Sequence, residues 1–227
     1  GGAGTLAHRD RAWDHPGSAG AALAHGVPQP IPYQGSKRLL APRILRFFPA
    51  AMDRLVEPFA GSAAISLAAA QAGLAPSFVL GDSLAPLVGI WRSIIDDPDA
   101  LCDAYRALWQ AQHRDPRAHY LAVRQAFNLD AEPAALLFLL ARCVKGAVRF
   151  NREGAFNQAA DHRRLGVRPE RLQLRVRRAH ELLAGRTTLH MGDYGELLAR
   201  ATPRDLVYMD PPYLGVSSGR DARYHQG

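Results

Sequence analysis

The sequence predicts an α/β protein, a parallel sheet of the nucleotide-binding type interrupted by a mainly helical insertion. Three observations carry this prediction. Two short apolar runs, 54–56 and 77–80, flank a glycine turn at Gly61 and an Ala-rich helix over 63–72, and the second run closes on an acid, Asp82. Strand, glycine turn, helix, strand, acid is the βαβ pattern of such folds. About eighty helical and irregular residues then follow before two more strand-like runs, 187–191 and 205–209.

The elements can be justified in chain order. Residues 1–28 are rich in Gly, Ala and His without periodicity and read as a flexible lead-in. Pro28, Pro30 and Pro32 give an extended approach to Tyr33-Gln34-Gly35-Ser36-Lys37. Ser36 is expected to N-cap a helix over 36–48, with Leu39, Leu40, Ile44, Leu45 and Phe48 on its apolar face. The strand at 54–56 runs into Glu57-Pro58-Phe59-Ala60-Gly61-Ser62, and Gly73 ends the helix that follows. Apolar periodicity predicts helices over 84–95, 98–112, 116–128, 132–145 and 169–184, with a turn over 149–157. A short helix over 196–200 separates the last two strands. Trp91, Trp109 and the Leu136–Leu140 run are read as core.

Composition narrows the class. The chain has 227 residues, 48% hydrophobic and 22% charged, which supports a real core and excludes dominant disorder beyond the lead-in. Cys102 and Cys143 cannot make a disulfide framework, so a reducing cytoplasm is the natural setting. The longest apolar run, 134–141, is too short to span a bilayer, and no charged-then-apolar leader opens the chain. The chain starts Gly1-Gly2 without Met and reads as a processed product or a fragment. Neither the nine His nor the Cys show metal-ligand spacing, so no metal site is expected. The formal charge is +7, and it is local: 142–178 holds ten Arg, Lys145 and three acids, or +8, leaving −1 elsewhere. Such a basic stretch fits a polyanion.

Two turns and one acid carry the chemistry. Gly61 permits a tight turn and close approach of a ligand to the backbone, ahead of free N–H groups at a helix start, although an ordinary strand–helix turn reads the same way. Asp82 follows Gly61 by 21 residues. It suits a ribose-binding acid, and equally a helix N-cap. In Asp210-Pro211-Pro212-Tyr213 the prolines rigidify a strand end, fixing a carboxylate and carbonyls as an acceptor array beside a flat ring. That set suits an exocyclic amine on a planar base.

Together these motifs resemble the Dam-type (D12 class) adenine-specific DNA methyltransferases. The shared elements, in order, are Tyr33-Gln34-Gly35-Ser36-Lys37, Glu57-Pro58-Phe59-Ala60-Gly61-Ser62, Asp82, Arg149-Phe150-Asn151 with Gly154 and Phe156-Asn157, Gly192-Asp193-Tyr194, and Asp210-Pro211-Pro212-Tyr213. The resemblance implies a Rossmann-like S-adenosylmethionine-dependent methyltransferase sheet with an inserted helical target-recognition domain. It divides the chain into the lead-in at 1–28, a catalytic domain over 29–97 and 185–227, and a target-recognition insertion over 98–184. It implies that Tyr33, Gly35, Ser36 and Lys37 serve the methionine end of the S-adenosylmethionine pocket, and that Glu57, Pro58, Phe59 and Gly61 form its main loop. Asp82 would take the ribose, and Asp193 would lie near the adenine of the cofactor. Asp210, Pro211, Pro212 and Tyr213 would form the catalytic motif, with Tyr213 stacking on a flipped-out adenine. Lys145, Arg149, Asn151, Arg152 and Asn157 would contact double-stranded DNA. Two positions depart from the pattern: Ala63 stands where a second loop glycine is common, and Lys145-Gly146 replaces an Asn-Gly pair.

The resemblance further implies a bacterial or phage setting and methyl transfer to adenine N6. Transfer to cytosine N4 or an RNA base, or DNA binding without turnover, are the alternatives. It implies sheet order 3-2-1-4 for the four strands, with three more expected beyond the fourth. Residues 217–227 are too few for those, so the sheet is expected to be incomplete and completed by a missing C-terminal segment or a second subunit.

Overall fold

The computed structural model describes residue 23 and residues 26–211. The expectations for Pro212, Tyr213 and nearly all of the lead-in therefore lie outside the described residues. Inside that lead-in, Leu23 and Val27 are buried and belong to the main core.

Four strands form one sheet: β1 (Arg54–Glu57), β2 (Ser77–Asp82), β3 (Thr187–Met191) and β4 (Asp205–Val207). Their order is β3-β2-β1-β4, and each neighbouring pair is parallel. The register sets Leu55 against Phe78 and Leu206, and Val79 against Thr188. Strand order and direction match the sequence expectation. β4 is shorter than the expected 205–209; one more backbone bond, Tyr208 N–H to the Val56 carbonyl at 2.9 Å, extends it before the chain leaves the sheet.

The helices are α1 (Ala41–Ile44), α2 (Ala64–Gln71), α3 (Ala85–Asp96), α4 (Pro98–Ala111), α5 (Pro116–Asp130), α6 (Pro133–Arg142), α7 (Pro169–Leu183) and α8 (Tyr194–Ala199). A proline within the first two positions starts α1 and α3 to α7, where its fixed φ suits the helix and its missing N–H costs nothing. Asp97 and Asp115 add side-chain caps to α4 and α5.

The helix expected over 36–48 is a correction. Pro42 cannot lie deep in a helix, so α1 starts only at Ala41, lasts four residues and passes into a 3-10 turn over Leu45–Phe47. Ser36 is no N-cap. Leu39 and Leu40, placed on the expected apolar face, are 81% and 47% exposed, while Leu45 and Phe48 are buried. The helix expected over 132–145 also stops early, at Arg142, because Cys143 turns extended and bridges Ala160.

One face of the sheet carries the main core. Leu55, Phe78 and Leu80 pack with Ile65 and Leu67 of α2, Trp91 of α3, the Leu136–Leu140 run of α6, and Leu172, Val176 and Leu183 of α7. That single cluster runs from the sheet through the helical segment between β2 and β3. The opposite face is thin among the described residues: Val56 and Val79 meet Leu197 of α8, with Val207 beside them.

Candidate active site

The order β3-β2-β1-β4 reverses direction between β1 and β4, and the crevice at the C-terminal ends of such strands is where an open α/β sheet binds ligands. The loop after β1 forms one wall. Gly61 adopts φ +48°, and a Cβ there would stand 3.0 Å from the Tyr33 ring, so Tyr33 and the loop backbone touch only because residue 61 is glycine. Three bonds fix the loop. Asp82 Oδ2 accepts from Gly61 N–H at 3.1 Å, Trp91 Nε1–H donates to the Gly61 carbonyl at 2.9 Å, and Ala60 N–H donates to the Gly81 carbonyl at 2.8 Å.

Asp82 ties the glycine loop to the entry of the next helix. Its other oxygen accepts from Leu84 N–H at 3.0 Å at the entry to α3, while Oδ2 faces the glycine loop. Burial pushes its pKa up, and these backbone donors pull it back. Glu57 points inward. It is 4% exposed, and its Oε2 accepts from Ser66 N–H at 3.1 Å and Ser66 Oγ–H at 2.6 Å, tying the end of β1 to α2. Burial raises its pKa to about 7, with the nearby Asp210 charge adding to the shift.

The segment before α1 reaches across the crevice. Ser62 Oγ–H donates to Ser36 Oγ at 2.9 Å, and Lys37 Nζ forms an ion pair with Asp210 Oδ2 just past β4. Three motifs far apart in sequence thus meet at one place. Two features reached from β3 complete the rim. Asp193 is exposed and caps α8 by accepting from Gly195 N–H at 2.7 Å. Tyr194 lays its ring 5.1 Å from that of Phe59. Pro58 lies against Gly81, where an added Cβ would clash with Leu197. Pro211 is exposed next to Asp210.

The basic segment divides. Its base touches the crevice: Gln34 N–H donates to the Gly146 carbonyl at 3.1 Å, and a Cβ on Gly146 would stand 2.7 Å from the Pro32 carbonyl oxygen. Lys145, at φ +59°, shares an open cavity of about 330 Å³ with Tyr33, Gln34 and Arg38. Residues 149–157 form a tight hairpin bridged at Phe150 and Phe156, whose rings pack with Phe127. Asn151 is spent on the turn, its Oδ1 accepting from Ala155 N–H at 2.8 Å. Arg152 and Asn157 are exposed, and Arg149 is half-buried at the hairpin base, where its carbonyl accepts from Asn157 N–H at 3.2 Å. Other charges of the segment are engaged within this chain. Arg142 is 2% exposed and donates to the backbone carbonyls of Asp161 and Pro116, while Arg163 and Arg164 both pair with Asp161.

Sequence reasoning missed four contacts: the Lys37–Asp210 pair, the Trp91 bond to Gly61, the Ser36–Ser62 bond and the tilted Tyr194–Phe59 ring contact. Trp91 was legible only as core, since its periodicity places the ring and says nothing of the indole N–H. Among the described residues no group of three or more metal-ligating side chains is assembled, and no helix is long and apolar enough to cross a membrane.

The profile of the D12 class N6 adenine-specific DNA methyltransferases matches residues 33–227. The chain is 30% identical over 208 residues to the retron Ec67 DNA adenine methylase of Escherichia coli, covering 86% of this chain and 69% of that protein. It is 28% identical over 186 residues to the DNA N-6-adenine-methyltransferase of Escherichia phage P1, covering 80% of this chain and 23% of the phage protein. A DNA adenine methylase of Vibrio cholerae is 28% identical over 193 residues, which span 83% of this chain and 66% of that one. The chain thus spans about two thirds of the retron and Vibrio relatives and under a quarter of the phage relative.

Proposed function

The chain belongs to the D12 class N6 adenine-specific DNA methyltransferases, an enzyme family, and from that premise we propose that it methylates adenine N6 in double-stranded DNA using S-adenosylmethionine. The observation that carries the reading is convergence. Tyr33 and Lys37, Gly61, Asp82 and Asp210, drawn from four separated stretches, meet at the β1/β4 switch point.

The residues fit the cofactor. Gly61 lets the Tyr33 ring close onto the loop backbone as one wall of the crevice, the Asp82 carboxylate lies beside this loop for the ribose hydroxyls, and Phe59 and Tyr194 offer ring surfaces beside Asp193 for the cofactor's adenine. S-adenosylmethionine supplies an already activated methyl group, so the remaining task is to position a nucleophile. The N6 lone pair is delocalised into the purine ring and attacks poorly. Asp210 accepts a hydrogen bond from N6–H and, with a neighbouring carbonyl, localises that pair, while Pro211 restrains the backbone. Pro212 and Tyr213 would complete this array, Tyr213 by stacking on the base. The adenine leaves the helix to reach the site, at a cost of a few kcal/mol.

DNA is held by the hairpin and the adjoining turn. Arg152 and Asn157 present exposed polar groups, Arg149 stands at the hairpin base, and Lys145 adds a positive charge at the mouth of the crevice. Asn151 acts chiefly by holding the hairpin shape. Phosphate contacts give orientation, and base-edge contacts by Arg give sequence choice. The reading extends to the edge of β4, which has β1 as its one neighbour among the described residues. A bare apolar edge is avoided in natural sheets, so a further strand, from this chain or a second subunit, is expected to pair there.

The test is incubation with methyl-labelled S-adenosylmethionine and mixed-sequence duplex DNA, followed by digestion to nucleosides. Label in N6-methyladenine supports the reading. Label in N4-methylcytosine, or salt-dependent DNA binding without label, moves the chain to another amino-group transfer or to a non-catalytic DNA-binding role.

A further inference from the structure

The resemblance assigns Lys37 to the cofactor pocket, yet in the fold its ammonium lies on Asp210. The local structure holds it there. The Lys37 carbonyl accepts from Leu40 N–H at 2.8 Å and Ala41 N–H at 2.9 Å, which fixes the turn into α1. The preceding residue is bonded to Ser62, beside Gly61. Lys37 Nζ also donates to the Gly35 carbonyl at 3.3 Å, which limits the swing of a long side chain. The Lys37 and Asp210 side chains are 24% and 25% exposed, so the pair is partly withdrawn from water and stronger than one at an open surface.

The contact falls on one carboxylate oxygen, Oδ2. An aspartate at a strand end can otherwise turn about both of its side-chain bonds. A cation on Oδ2 stops that rotation and leaves Oδ1 for an incoming amine. Glu57, the other carboxyl near Asp210, is turned away onto Ser66 and supplies no such restraint. Resting on the methyl-transfer reading above, we propose that Lys37 is a positioning residue for Asp210, holding one carboxylate oxygen so that the other is presented to the adenine N6–H.

A positioning role and a cofactor-contact role separate in the split between binding and turnover. The full chain is compared with Lys37→Met and Lys37→Arg by equilibrium binding of S-adenosylmethionine and by single-turnover methylation at saturating cofactor and DNA. Lys37→Met is expected to lower the single-turnover rate about 100-fold, the scale of a misplaced reacting group, with cofactor affinity within about threefold of the parent. Lys37→Arg keeps a cation within reach and is expected to recover most of the rate. Retained cofactor binding by both variants doubles as the check that the fold survives. A single-turnover rate for Lys37→Met equal to the parent overturns the proposal. A tenfold or larger loss of cofactor affinity with the rate intact at saturation also overturns it and returns Lys37 to the cofactor. A parent chain that makes no N6-methyladenine overturns the functional reading and this inference with it, whereas an active parent with an unimpaired Lys37→Met variant overturns this inference alone.

Discussion

Burial holds the Glu57 carboxyl at a pKa of about 7 even though Ser66 donates two hydrogen bonds to it. Its ordinary value is 4.5, so between those two pH values the unfolded chain has given up the proton while the folded chain still holds it. Stability from this group is therefore complete below about pH 4.5 and declines as pH rises towards 7, by on the order of 3 kcal/mol. Glu57→Gln should flatten that decline, which denaturant midpoints at pH 5 and pH 8 would reveal; an unchanged slope would reject the assignment. Asp210→Ala should lower turnover by about 100-fold or more while leaving cofactor binding nearly intact, since the side chain acts on the amine. Ala63 was marked in the sequence only as a missing glycine. It sits at φ +46° and ψ +37°, a left-handed conformation that costs an L-residue roughly 1–2 kcal/mol. Ala63→Gly should stabilise the chain by up to about 1 kcal/mol, read as a rise in midpoint, because relief of that strain exceeds the added chain entropy.

Elements were legible where one local rule governs them. Apolar periodicity placed α3 to α7 within a few residues, and the proline starts and aspartate caps seen in the fold act over the same single turn of helix. The helix expected over 36–48 failed because the apolar spacing of Leu39, Leu40 and Ile44 outweighed Pro42 in the reading, whereas in the chain the missing N–H of Pro42 prevails. The turn between α6 and the hairpin shows the same competition. Lys145 and Gly146 are both left-handed, at φ +59° and +62°, and such a position favours Asn over Lys because a short amide tolerates it. Lys145→Asn should therefore raise stability by about 0.5–1 kcal/mol and at the same time weaken DNA binding by removing a positive charge. Thermal melting and a DNA titration on the same variant check both directions, and a loss of stability would show that Lys145 is held by contacts other than its backbone turn.

At the scale of the whole molecule, the +8 of residues 142–178 is a net figure that the fold divides. Arg142, Arg163, Arg164, Arg177 and Arg178 are engaged with carbonyls or acids of this chain, which leaves at most six of the eleven basic residues to dominate contact with phosphate. The plot of log affinity against log salt should accordingly be no steeper than about −5, and a slope near −10 would mean that the internal pairs open on DNA. The single core running from the sheet into α6 and α7 makes the helical segment part of the body that supports the crevice, so its core substitutions should weaken cofactor binding as well as DNA binding. By itself the sequence determined the strands, their order through the family resemblance, most helices, and the residue types at the site. Those follow from local periodicity, backbone restriction and motif spacing, all of which act over a few residues. Only the tertiary structure decided that Glu57 turns inward to Ser66, that Trp91 and Asp82 clamp Gly61, and that Lys37 meets Asp210 across 173 positions of chain. Side-chain direction and long-range pairing depend on how β1, β4 and the segment before α1 pack together, and no local pattern encodes that.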